Sequence, residues 1–262
     1  MSITKLSAKQ FWDNSYGGQA GNKSYPNPLL HRFHFGLDRI FRKYLPKKEG
    51  LHLIEMGCGG SIWLPYFAKE FGYKVSGIDY SEKGCVQARG ILEMASCRGE
   101  VHCLDFLDLN LQFYHRYDAL LSLGVIEHFD KPVEVIGAFT MCLNKDGVII
   151  TLVPNSTGAL GVIQKIVAPA AHDKMHKRFN LGRMIKYHEA NGLTIVYAGY
   201  FIGDFVIINL SEFSMRTRKL MGRLITLLNL VPLWACRSTG LNPQIPFLAS
   251  SMVVIARKAT DL

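Results

Sequence analysis

The chain has 262 residues, 48% of them hydrophobic and 19% charged, with 24 Gly and 10 Pro. That apolar fraction is ample for a packed core and excludes disordered, collagen-like and low-complexity classes. The formal charge of +9 is unevenly spread: residues 1–164 hold 17 Lys and Arg against 16 Asp and Glu, whereas residues 165–262 hold 13 against 5. The basic last third is either a surface for an anionic partner or solvated Lys and Arg. The length predicts one domain over 1–262: an N-terminal cover (1–50), a core (51–155) and a C-terminal part (156–262) with an insertion at about 203–246. Six cysteines without a CxxC pair, and the absence of a secretory pattern, predict reduced thiols and a cytoplasmic protein. The uncharged run 224–234 is 11 residues long and contains Pro232, against about 20 residues needed to span a bilayer.

In chain order, Phe11, Trp12 and Tyr16 precede a Gly17-Gly18 break. Leu30, Phe33, Leu37, Ile40, Phe41 and Tyr44 then recur at three- and four-residue spacing, which predicts an amphipathic covering helix stopped by Pro46. From residue 51 short apolar strands alternate with helices: strands at 51–56, 74–78, 100–104, 117–123 and 147–153, helices at 63–71, 82–95 and 132–143. Such alternation implies an α/β fold with a mostly parallel sheet covered on both faces, whose ligands sit at the C-terminal strand ends. Beyond Pro154, a helix is predicted at 181–191, strands at 193–201 and 247–258, and a helix at 211–230 inside the insertion.

The strongest local signal is the strand Leu53-Ile54-Glu55-Met56 running into Gly57-Cys58-Gly59-Gly60-Ser61. Glycines there allow a tight turn and close approach of a ligand. A dinucleotide-binding turn needs Gly or Ala at position 62, which is Ile62, so a nicotinamide pyrophosphate is disfavoured. Asp79, 22 residues after Gly57, ends the second strand, where a carboxylate accepts ribose hydroxyls. Asp105 and Phe106 follow the third strand and pair a polar acceptor with an aromatic face. Glu55 would repel a pyrophosphate and attract a cation.

The ordered set Glu55-x-Gly57-x-Gly59, Asp79, Asp105-Phe106 and Leu123-Gly-Val-Ile-Glu-His128 resembles the class I S-adenosylmethionine-dependent methyltransferases over about residues 51–155. The resemblance implies a three-layer Rossmann-like fold with seven strands and S-adenosyl-L-methionine as cofactor. It implies that Glu55, Gly57, Cys58 and Gly59 hold the methionine end, Asp79 the ribose with Tyr80 alongside, and Asp105 and Phe106 the adenine. Ser122 and Leu123 would line the sulfonium. Ser61 stands where the family often has glycine. The Glu127-His128 ending is similar to the branch that methylates small molecules, including quinone, glycan and lipid precursors.

His128, just after the fourth strand, is the candidate general base, since an imidazole titrates near neutral pH; capping the next helix is the structural alternative. Trp12, Tyr16 and Tyr25 are expected either to close over the site from the N-terminal side or to serve as apolar packing, and His172, His176 and Arg178 to form part of the acceptor wall. The two histidines lack the glutamate and third ligand of a zinc site, so no metal is expected. The basic apolar stretch 215–234 suits either a peripheral membrane contact or a packed lid. The expected reaction is methyl transfer to a small or lipid-like acceptor, favoured at oxygen. The alternatives are an RNA methyltransferase using the basic third, made less probable by the absence of an appended RNA-binding module, and a non-catalytic cofactor-binding protein.

Overall fold

A computed structural model describes residues 3–5, 9–16, 25–29, 31–159, 179–201, 220, 223, 234 and 245–259. The described strands are β1 (His52–Met56), β2 (Lys74–Asp79), β3 (Glu100–Cys103), β4 (Tyr117–Leu123), β5 (Leu143–Pro154), β6 (Leu193–Phe201) and β7 (Ser251–Lys258). They form one seven-stranded sheet in the order β3-β2-β1-β4-β5-β7-β6. β7 runs antiparallel to both neighbours, while β1 to β5 pair in parallel. The described helices are α1 (Lys9–Ser15), α2 (Arg32–Tyr44), α3 (Trp63–Glu70), α4 (Glu82–Met94), α5 (Pro132–Cys142) and α6 (Leu181–Glu189). The mostly parallel α/β sheet is what the alternation of elements predicts, and the three-layer, seven-stranded Rossmann-like architecture is what the resemblance implies.

The two-residue period of the strands feeds two separate cores. In β7, Val253 and Ile255 face the layer built on Phe41, Trp63 and Phe67, whereas Met252, Val254 and Ala256 face the layer built on Ile136, Phe139 and Met184. Helix α2 caps the first layer by burying Leu37, Ile40 and Phe41, as its sequence spacing requires. The strand order reverses between β1 and β4, so the crevice of the sheet opens where β1, β2 and β4 end.

Strand β5 begins four residues earlier than the sequence suggests. Leu143 pairs with Tyr117, and the register then shifts so that Val148 faces Ala119, with Asp146 at φ 60° in the intervening bend. Strand β7 begins at Ser251 instead of 247, because 245–248 forms a turn whose chain is tied down by Asn155 Nδ2 donating to the carbonyls of Pro246 and Ala249. The predicted helix at 211–230 and most of the 203–246 insertion lie outside the described residues. Among the described residues no helix is long and apolar enough to cross a membrane.

Candidate active site

A cavity of about 270 Å³ opens at the C-terminal ends of β1, β2 and β4. Its floor is the glycine turn. Gly57 adopts φ +76° and Gly60 φ +64°, the left-handed region that glycine enters freely. Gly59 is needed for space: a Cβ there would lie 2.6 Å from the Tyr16 ring and 2.8 Å from Asp79 Oδ2. The turn is tied to β2 through its backbone, with the Gly57 and Cys58 amides both donating to the Ile78 carbonyl.

Glu55 is buried in the central strand β1, and its carboxyl faces the cavity. Ser61 Oγ donates to Glu55 Oε2 at 2.7 Å and accepts from the Trp63 amide at 3.0 Å. Serine therefore fits the turn, and its hydroxyl ties the turn to the acid. Burial pushes the Glu55 carboxyl up to about 8; the Ser61 hydroxyl opposes this and the nearby Asp79 charge reinforces it. Asp79 also lines the cavity: Oδ2 accepts from the Gly59 amide and Oδ1 from the Ser81 amide, both at 2.8 Å. A carboxylate offers about four lone-pair sites, so Asp79 retains acceptor capacity toward the cavity. Its titration is shifted upward, chiefly by burial.

On the facing wall, Leu123, Gly124 and Val125 lead into a single 3₁₀ turn, Ile126–His128. His128 lines the cavity and is only 6% exposed; the Trp12 ring meets it edge-on at 4.9 Å. Glu127 is buried, with Oε1 4.0 Å from His128 Nε2. Its Oε2 has no hydrogen-bond partner among the described residues, and burial pushes the carboxyl up to about 8. Tyr80, Phe106 and Phe129 supply aromatic surface.

The N-terminal segment forms the roof. Thr4 and Asp130 bond reciprocally, the Thr4 amide donating to Asp130 Oδ1 and the Asp130 amide to the Thr4 carbonyl. Asp13 carboxylate accepts from Ser81 Oγ at 2.6 Å, which fixes α1 against the start of α4. Tyr16 then rests on the glycine turn and lines the cavity.

Nine of the sequence-derived residues line the cavity: Tyr16, Glu55, Gly57, Gly59, Asp79, Tyr80, Phe106, Leu123 and His128. Four others are placed elsewhere. The Cys58 side chain is buried in the core on the α2 and α3 side, close enough to Gly77 that a Cβ there would touch its sulfur. Ser122 is buried in β4, where alternation turns it away from the cavity that Leu123 faces. Asp105 is engaged by Lys5, and its other oxygen caps the turn Phe106–Asp108 by accepting from the Leu107 amide. Tyr25 packs on Tyr66 and donates its hydroxyl to Glu70, outside the lining of the cavity. His172, His176 and Arg178 lie outside the described residues, among which no cluster suited to a metal ion occurs. Sequence reasoning gave no role to Lys5, Trp63, Val125 and Phe129, which line the cavity. Lys5 also lies 4.4 Å from the centre of the Tyr80 ring.

The arrangement fits a nucleoside with a cationic end: glycines with no room for a side chain, a buried acid at the end of β1 and a second acid with spare lone pairs at the end of β2. Comparison with known proteins agrees. The chain is 26% identical over 159 residues to a ubiquinone biosynthesis O-methyltransferase of Rhodopseudomonas palustris, covering 58% of this chain and 60% of that one. It is 31% identical over 135 residues to the enzyme of that name from Paramagnetospirillum magneticum, covering 50% and 51%. The aligned stretches thus span 60% or less of these relatives. A solved Haemonchus contortus phosphoethanolamine N-methyltransferase 2 in complex with S-adenosyl-L-methionine shares the fold, with a TM-score of 0.63 at 16% identity, covering 97% of this chain and 60% of that one. Residues 30–198, more than half of the chain, match the sequence profile of the methyltransferase domain, so the chain belongs to that family, as a class I, S-adenosylmethionine-dependent member.

Proposed function

We propose that this protein transfers the methyl group of S-adenosylmethionine to a hydroxyl oxygen of a small or lipid-like acceptor. The observation that carries the reading is that Glu55, Asp79 and His128 line one cavity together with the glycine turn. Glu55 would hold the ammonium of the cofactor, Asp79 its ribose hydroxyls beside Tyr80, and Phe106 its adenine face. Asp105, which accepts from Lys5 and from the Leu107 amide, keeps lone pairs for the adenine amine. When bound, the cofactor supplies an electrophilic methyl on a sulfonium.

The protein's part is to orient the acceptor and to take its proton. His128 Nε2 and Nδ1 are the cavity's candidates for that proton, and the Trp12 edge restricts the imidazole to a narrow set of orientations. The curated relatives named above are O-methyltransferases, which favours oxygen over nitrogen. The surplus of positive charge after residue 165 favours an acceptor bearing phosphate or carboxylate.

The test is calorimetric titration of the full chain with S-adenosylmethionine, S-adenosylhomocysteine and NADH, beside Asp79→Ala, followed by transfer of labelled methyl to a panel of hydroxylated acceptors. Micromolar binding of both adenosyl ligands, lost in Asp79→Ala and absent for NADH, supports the site. Binding without transfer to any acceptor turns the assignment to a cofactor-binding protein. Transfer to RNA that weakens steeply with salt turns it to a nucleic-acid enzyme.

A further inference from the structure

We propose that Cys85 and Cys103 form an oxidative modification site, in which hydrogen peroxide converts the two thiols into a disulfide beside the end of β2 that carries Asp79. Cys103 ends β3 opposite Asp79 in the β2–β3 register, and it is exposed. Cys85 lies in the first turn of α4, buried, with Sγ 3.2 Å from the Asp79 carbonyl and 3.8 Å from the His102 carbonyl. Its sulfur stands against the peptide group that joins His102 to Cys103. The helix and the strand that follows it thus bring the Cys85 sulfur beside the backbone of Cys103, with one cysteine open to solvent and the other buried behind it.

The exposure difference assigns the roles. Cys103 sulfur attacks the peroxide, the O–O bond breaks, and Cys103 becomes a sulfenic acid as one water leaves. Cys85 sulfur then attacks Cys103 sulfur; the S–O bond breaks, and the departing hydroxide takes the Cys85 proton as a second water. Two thiols lose two electrons, and the peroxide is reduced to two waters. Burial shields Cys85 from the peroxide, so it enters only at the second step.

The bond would draw the sulfurs to about 2.05 Å and tie α4 to the end of β3. It removes the thiol hydrogen that Cys85 gives the Asp79 carbonyl and shifts the chain two residues before Asp105. On the cofactor reading above, the cross-link weakens nucleoside binding.

The experiment treats the full chain with hydrogen peroxide, blocks remaining thiols by alkylation and maps the peptides. The expected product is a Cys85–Cys103 linkage with the loss of two hydrogens, reversed by dithiothreitol and absent in Cys103→Ser. Cys103 over-oxidised to the sulfinic acid while Cys85 stays alkylatable, or a linkage of Cys85 to Cys58, overturns the proposal. S-adenosylhomocysteine titrations of the reduced and oxidised forms read the consequence. Oxidation should weaken affinity about tenfold or more, the effect of one lost hydrogen bond to a charged group, with no change in peroxide-treated Cys103→Ser. Equal affinity of both forms refutes the coupling. No binding by the reduced form refutes the cofactor reading, and the peptide map still decides the thiol assignment.

Discussion

Binding of the cofactor should release a proton from Glu55. With the ligand-free carboxyl at about 8, roughly nine-tenths of the molecules carry a proton on Glu55 at pH 7. An ammonium placed against that carboxyl favours the ionised form, and a shift below about 6 frees roughly 0.8 of a proton per ligand bound. Ionising the acid costs about 1.4 kcal/mol at pH 7, about tenfold in affinity, so binding tightens as pH rises from 6 toward 8 and then levels off. The assay is titration with S-adenosylhomocysteine in buffers of different ionisation enthalpy, where the dependence of observed heat on buffer gives the protons released. Glu55→Gln keeps the shape and the Ser61 contact but cannot ionise, so the difference between the two proteins isolates Glu55 from the ligand's own amine. At pH 9, where Glu55 is already ionised, the difference should fall to about 0.1. Equal proton release by wild type and Glu55→Gln at pH 7 would refute the assignment of Glu55 to the cationic end.

The other acid at the site is read through stability. Glu127 is raised to about 8 in the fold against 4.5 unfolded, so the folded state holds the extra proton between those values and stability falls as pH rises through that window. Glu127→Gln should therefore stabilise the protein by up to about 3 kcal/mol at pH 7 and by less than about 1 kcal/mol at pH 5; urea unfolding showing the same gain at both would sink this account. Gly59→Ala should fold but displace the Tyr16 ring, lowering S-adenosylhomocysteine affinity by about tenfold or more, given the 2.6 Å and 2.8 Å approaches at that position. Wild-type affinity in that variant is the contrary result. His128→Asn should lower turnover by about 10²–10⁴ if the imidazole takes the proton, with cofactor affinity within about twofold. A variant that turns over normally assigns the proton to solvent or to the acceptor itself.

The sheet was legible because its evidence is local. Apolar runs of strand length between helical patterns placed each of the seven strands within a few residues, and the two misplaced edges have local causes. Asn144, Lys145 and Asp146 read as a polar turn, yet the chain bends at Asp146 and Leu143 still pairs with Tyr117. Phe247 and Leu248 read as strand, yet Asn155, about ninety positions earlier, holds that stretch as a turn. The site divides the same way. Glu55, Gly57, Gly59 and Asp79 were visible because each sits at a strand end, and the fold brings those ends together by construction. What lies above them was not, since no periodicity says where α1 docks. Tyr16 and Tyr25 look alike in sequence, and only Asp13 bonding Ser81, and Tyr25 bonding Glu70, separate the one that roofs the cavity from the one that packs outside it. Lys5 and Asp105 stand one hundred residues apart, so their pairing has no sequence signature at all. The acids of the strand ends thus follow from the order of the strands, whereas the N-terminal roof, which meets Asp105, Tyr80, His128 and the glycine turn together, follows from contacts that only the folded chain makes.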